Sequence, residues 1–322
     1  MKWIYEKKDD HAVIWRCFSG EERAELPQSL EGLPVTELAP YGFSEYMQKD
    51  IIIEGIRQKR FFCTQGDFNS QETALCGKRL RALSLPDTLQ KVGAYAFYNC
   101  DRLESLSFPS GIQDWGTGAF TGCHHVRSLE VQMEHGRPST LKEVLAELRE
   151  ELCLHYHEEQ AYARLMFPEF YEEGVENTPA RILETHVHGT GLYYRNCFQH
   201  REFDFQEYDS RFRYAKAQES EEFLLRLAEG RLRYPLRLGE REREAYEEYL
   251  FAHLNQAAAD IIHREDMEGL RWLAGYVSKE VFPRKEILKR ASKAGFTEGI
   301  SYLMSLGKTL SKKDERTKRF EL

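Results

Sequence analysis

The chain has 322 residues, 41% of them hydrophobic, 12% aromatic and 30% charged, enough for one large domain or two of ordinary size. Forty-five basic against 53 acidic residues leave a formal charge of -8, and residues 1–133, with 15 basic and 18 acidic, hide no basic block. That balance argues against a nucleic-acid partner, and no apolar run approaches the roughly 18 residues of a membrane span.

The amino terminus, Met1 to Asp10, has no apolar core and turns acidic at once, unlike a secretory leader, so a cytoplasmic protein is expected. Ile51-Ile52-Ile53 reads as a short strand, followed by a loop around Gln65 to Ser70. The seven cysteines form no CxxC pair and are odd in number, which points away from a zinc ribbon or a closed disulfide framework.

Residues 80–102 and 103–125 match at a period of 23, with nine identities. Leu80/Leu103, Leu83/Leu106, Pro86/Pro109, Gly93/Gly116, Ala96/Ala119, Phe97/Phe120 and Cys100/Cys123 are among them, and a third partial copy starts at Val126, Leu129 and Val131. In Leu83-Ser84-Leu85 the two leucines face one way, so each unit opens with a short strand buried on one side. Proline then closes the strand and glycine permits a tight backbone path. One such unit cannot bury its own apolar face, so the units must stack with parallel strands along one side.

These residues resemble the BspA-type leucine-rich repeat, whose units read roughly LxxLxLPxx[LI]xx[IV]GxxAFxxC. The resemblance is specific over 80–131 and weaker at Leu26-Pro27 and Gly42-Phe43, with Gly32 to Thr36 as an insertion in the first unit and 44–79 as a degenerate or expanded one. It implies that Cys100 and Cys123 are packing residues at the repeat turn. It also implies a concave sheet surface formed by Ala82, Ser84, Ser105, Ser107, Ser128 and Glu130, which either binds a partner or packs on the rest of the chain. Members of this family are often bacterial surface or host-facing proteins.

Gly136, Pro138 and Ser139 mark 134–140 as a linker ending a leucine-rich repeat domain over 1–133. Apolar residues at 141, 144, 145, 148 and 152 then predict a helix, and further helices are predicted near 158–173, 178–185, 219–229, 240–264, 266–277, 284–294 and 297–306. Glu268 to Leu273 and Glu298 to Leu303 lie 30 residues apart and suggest stacked, ankyrin-like hairpins near 255–307. The expected fold is α+β: a short solenoid of parallel strands, then an α-helical domain of stacked hairpins over 141–307 and a basic tail over 308–322.

Chemistry is sought in 164–205. On an extended segment His186 and His188 share a face, the geometry of a metal pair in a metal-assisted hydrolase, or a plain surface pair. Arg181, Arg195 and Arg201 with Tyr193 and Tyr194 form either a patch for a small anion or peptide, or an ordinary ion-pair network. Gly189-Thr190-Gly191 reads as a turn, since no phosphate-loop motif surrounds it. A Cys197 nucleophile with His200 lacks an orienting third group. His155 and His157, placed in a helix, fall on opposite faces and are set aside as a metal pair, and His124 and His125 are expected at the surface of a repeat turn. The expected function is therefore non-catalytic, a protein-interaction or scaffold role with a protein partner and no cofactor.

Overall fold

The computed structural model describes residues 1–66, 72–134, 139–177, 182–277 and 282–306. Part of the loop near 65–70, most of the 134–140 linker, Arg181 and the basic tail lie outside the described residues. The chain divides into two compact units, one of residues 1–219 with 234–238, the other of 220–233 with 239–322.

The first unit opens with the antiparallel pair β1 (Lys2–Lys7) and β2 (Ala12–Phe18), then β3 (Arg23–Glu25). A second hairpin joins β4 (Ser29–Leu30) to β5 (Leu33–Leu38) and turns through Glu31 and Gly32, at φ 50° and 84°. Helix α1 (Lys49–Arg57) and β6 (Phe61–Cys63) follow. The Ile51 to Ile53 segment is thus helical and not a strand. Ile52 is buried and Ile51 exposed, and Gly55 lies so close to the Phe61 ring that a Cβ there would sit 2.2 Å from it. One apolar stripe at helical spacing outweighs the β preference of three isoleucines.

The coils come next: β7 (Ala82–Ser84), β8 (Lys91–Val92), β9 (Ser105–Pro109), β10 (Asp114–Trp115) and β11 (Ser128–Met133). Helix α2 (Leu141–Glu147) precedes β12 (Leu152–Glu158) and β13 (Ala161–Phe167). Strands β3, β7, β9, β11 and β12 run parallel in one sheet, and β13 closes it antiparallel. Ala24, Leu83, Leu106, Leu129, Leu154 and Leu165 stand abreast and all are buried. The other side of each coil adds to a second sheet, ordered β10-β8-β5-β2-β1-β6, in which Leu38, Val92 and Trp115 line up.

Between the sheets the phenylalanines stack from coil to coil. Phe43 and Phe97 have ring centroids 6.0 Å apart, and Phe97 and Phe120 5.4 Å. Gly42-Phe43 therefore does occupy the Ala-Phe position of an early coil, with Phe43 N–H donating to Ala96 O as Phe97 N–H donates to Ala119 O. Each repeat cysteine packs in this column and donates one coil back, Cys100 to Phe43 O and Cys123 to Phe97 O. The glycines are required by contact: a Cβ on Gly93 would lie 2.3 Å from Pro40 N and one on Gly116 2.2 Å from Ala94 N.

The remainder of the first unit holds the ribbon β14 (Tyr171–Asn177) and β15 (Ile182–His188), helix α3 (Gly191–Arg195), the short pair β16 (Phe198–Gln199) and β17 (Glu202–Phe203), and helices α4 (Phe205–Ser210) and α5 (Phe212–Ala215). The helices predicted over 158–173 and 178–185 are thus corrected to strands, and the one from 141 ends at Glu147, where Leu148 turns extended. Ala161 to Phe167 is rich in helix formers, but β12 offers it a complete ladder and a buried face, and that tertiary gain exceeds the propensity difference of a few tenths of a kcal/mol per residue, ~0.7 at most.

The second unit is helical: α6 (Glu221–Arg233), α7 (Glu240–Ala252), α8 (Leu254–His263), α9 (Met267–Tyr276), α10 (Arg284–Ala294) and a helix over residues 297–306. Helix α6 packs on α7 and α8, and α8 on α9 and α10. The single helix predicted over 240–264 is broken at His253, whose φ of -119° leaves the helical region. Asp266 caps α9 by accepting from Gly269 N–H at 2.7 Å and also receives Arg233 at 2.8 Å; Arg233 in turn meets the buried Glu229.

Candidate functional site

Strand alternation decides what the parallel sheet shows. Its leucines point inward, so Ala82 and Ser84 on β7, Ser105 and Ser107 on β9, and Ser128 and Glu130 on β11 point outward. The register sets them in two rows, Arg23-Ala82-Ser105-Ser128-Cys153 and Glu25-Ser84-Ser107-Glu130-His155. All six residues singled out from the sequence line one open hollow of about 380 Å³, with Glu21, Arg23 and Glu25 at its β3 end. The floor is small and uncharged; Glu21, Glu25 and Glu130 against Arg23 make the rim acidic. At the start of the strands Arg81 pairs with Glu22 at 2.9 Å and with Glu104.

Beyond Glu130 the face changes character. Because β12 is a strand, Cys153, His155 and His157 share one side, and the opposite-face assignment of the two histidines is corrected by that single fact. Antiparallel β13 sets Tyr162 across from His157 and Arg164 across from His155. His157 Nε2 lies 3.1 Å from Glu130 Oε1, His155 Nδ1 lies 2.6 Å from Tyr162 Oη, and His155 Nε2 lies 3.7 Å from Cys153 Sγ. Tyr162 rests edge-on against Tyr234, with centroids 4.5 Å apart. The sequence signal for this cluster was the alternation Leu152-Cys153-Leu154-His155-Tyr156-His157, which repeats the Leu-x-Leu of the earlier coils.

The segment 164–205 separates into parts with different roles. His186 and His188 do share a face of the β14–β15 ribbon, but each imidazole stands beside its own carboxylate, His186 3.6 Å from Glu184 and His188 3.1 Å from Glu173. Among the described residues no group of three or more His, Cys, Asp or Glu side chains is arranged to hold a metal ion.

Arg195 is not placed to receive a ligand, which corrects the anion-patch assignment. It is 2% exposed and its guanidinium donates to four carbonyls, those of Leu148 (2.8 Å), Pro168 (2.5 Å), Gly191 (3.1 Å) and Glu150 (2.7 Å). Phe167 and Phe170 flank it, 5.8 and 5.1 Å from its central carbon. Burial draws its pKa down to about 9, still well above neutrality, so the cation is retained as a carbonyl clamp.

Tyr193 is exposed, with Arg211 over its ring at 6.0 Å. In the Gly189-Thr190-Gly191 turn, the backbone N–H and hydroxyl of Thr190 both donate to Glu219 Oε1. A carboxylate of the chain itself thus occupies the place an anion would take. Cys197 is buried and donates to Tyr193 O at 3.3 Å rather than pairing with His200. His124 and His125 are at the surface, as expected.

A second surface, not anticipated from the sequence, is aromatic. Tyr41 stacks on Tyr95 at 5.4 Å, and Tyr98 meets Tyr46 edge-on at 5.0 Å beside a hollow of about 680 Å³ that Trp15 and Ile51 also line.

A family model matches the stretch of chain that forms these coils. Residues 71–140 match the BspA type leucine rich repeat region, a family described in six copies. Among solved structures, a leucine-rich repeat protein of T. pallidum is 20% identical, over 41% of this chain and 51% of that one, with a TM-score of 0.28. A leucine-rich cell surface protein of Faecalibacterium prausnitzii is 20% identical over 41% and 31%, with a TM-score of 0.27. A leucine-rich repeat protein of Bacteroides ovatus is 16% identical over 41% and 30%, also at 0.27. The chain spans about half the length of the first of these and under a third of the others. No curated protein sequence matches it. Strands β7, β9 and β11, Gly93 and Gly116, and Cys100 and Cys123 lie within the matched stretch, and residues 71–140 are a BspA-type leucine-rich repeat region.

Proposed function

We propose that the chain is a protein-interaction module whose partner seats a polypeptide segment in the hollow of the parallel sheet. Repeat arrays present extended, continuous surfaces, and binding is their common use. The observation that carries the reading here is the run of small side chains Ala82, Ser84, Ser105, Ser107 and Ser128 between Glu25 and Glu130. Such a floor lets a main chain approach closely, and the hydroxyls supply donors and acceptors without a fixed charge. The acidic rim favours a segment carrying Lys or Arg.

The test is affinity capture with the full-length chain, in parallel with Ser105→Trp/Ser107→Trp and with Glu130→Lys. A partner recovered by the parent chain and lost by the filled hollow supports the reading, and Glu130→Lys should weaken it most at low salt. Capture that is indifferent to all three substitutions removes the hollow as the binding face.

A further inference from the structure

We propose that Cys153 is a covalent modification site: a nucleophilic thiol, with His155 as its base and Tyr162 as the positioning residue, that exchanges with small disulfides. It stands apart from the other cysteines. Cys17, Cys100, Cys123 and Cys197 are buried; burial pushes the thiols of Cys17, Cys123 and Cys197 up to about 12 and that of Cys100 well above its usual value. Cys76 is also raised by burial, and Cys63 packs beside the Ile4 and Phe61 cluster with its thiol 3.8 Å from the carbonyl of Gln65. Cys153 is partly exposed and meets an imidazole.

The geometry is that of a base held from behind. His155 presents Nε2 to the thiol at 3.7 Å while Nδ1 lies 2.6 Å from Tyr162 Oη. With Nδ1–H donating to the phenol oxygen, the Nε2 lone pair faces the S–H. The groups around this imidazole are Glu130 from β11, Cys153 and His157 from β12, and Tyr162 and Arg164 from β13. Burial, Arg164 and His157 lower its pKa against the opposing pull of Glu130, so the ring is neutral at pH 7 and able to take a proton.

The exchange balances without any further reactant. Nε2 takes the thiol proton, and the Cys153 thiolate attacks one sulfur of a disulfide RSSR. A Cys153–SR bond forms as the S–S bond breaks, and the departing RS⁻ takes the proton from the imidazolium and leaves as RSH. Cys153 is oxidised and one half of the disulfide is reduced. Ser128, directly across from Cys153 on β11, lines the hollow, so the adduct sits at the edge of the face. The chemistry stands whether or not that face takes a partner.

The full-length protein is exposed at pH 7 to 2,2′-dithiodipyridine and to glutathione disulfide, and labelling of each cysteine is followed by peptide mass spectrometry. Cys153 should react first, at least about tenfold faster than Cys63, and His155→Gln should slow it by about tenfold or more. Tyr162→Phe should move the lower inflection of the pH–rate profile at Cys153, a readout indifferent to mere packing. Labelling of Cys153 no faster than Cys63, or an unchanged rate in folded His155→Gln, overturns the proposal. Should His155→Gln fail to fold, the comparison of Cys153 with Cys63 in the parent chain decides alone.

Discussion

The thiol of Cys123 donates to the carbonyl of Phe97 at 3.1 Å, one coil back, beneath the stacked rings of Phe97 and Phe120. The cysteine of the repeat is thus a small apolar group with one weak donor, aimed at the coil it must hold. Because Phe97 O also accepts from Cys100 N–H, it keeps a partner when the thiol is removed. Cys123→Val should therefore cost only about 1 kcal/mol in urea unfolding, against roughly 3–5 kcal/mol for Phe97→Ala, which empties the column.

Two glycines should respond in opposite directions to the same added methyl. Gly116→Ala forces a Cβ to 2.2 Å from the backbone of the neighbouring coil and should destabilise by roughly 1–3 kcal/mol or more. Gly275, inside α9 with nothing within 4 Å of its Cβ direction, should gain about 0.5–1 kcal/mol on becoming alanine. Paired denaturation midpoints check both.

Arg195→Met should cost about 3–5 kcal/mol, because four carbonyls lose a charged donor at a side chain only 2% exposed. Arg195→Lys should recover only a fraction of it, since an ammonium lacks the planar fork that reaches all four. The measure is unfolding of the full chain; equal stability of the Lys variant and the parent would show that charge, not geometry, is what the site requires.

His155 makes stability depend on pH. Burial first, with Arg164 and His157, holds its folded pKa below the ordinary 6.5, so between those two values the unfolded chain binds the extra proton. Stability then rises with pH through that window, and the contribution is complete above 6.5. Urea unfolding from pH 5 to 8 should show the parent chain losing more stability on acidification than His155→Gln.

The repeat was legible because its side chains carry the period themselves. Leu83, Leu106 and Leu129 must face inward and Gly93 and Gly116 must be bare, so the pattern survives in the letters. The hollow of Ala82 to Glu130 followed from that alternation together with the concave face that the repeat resemblance implies. Residues 152–173 and 182–185 were misread because their strands draw their identity from neighbours. Ala161 to Phe167 becomes β13 only because β12 lies beside it, and that assignment hid the shared face of Cys153, His155 and His157. Arg195 looked like a ligand for the same reason: nothing local to it reveals that Leu148, Glu150 and Pro168 turn their carbonyls toward it.

The antiparallel strand β13 gives the ladder a different termination at each end, since β3 on the opposite side is only three residues long. Growth of the array is therefore internal. A whole 23-residue unit spliced between Arg102 and Leu103 would find a Phe column, a glycine contact and a carbonyl for its cysteine already waiting above and below. Both ends would keep their own partners. The span of the hollow is in this sense a copy-number trait, adjustable by about 4.8 Å per added strand without redesign of either boundary.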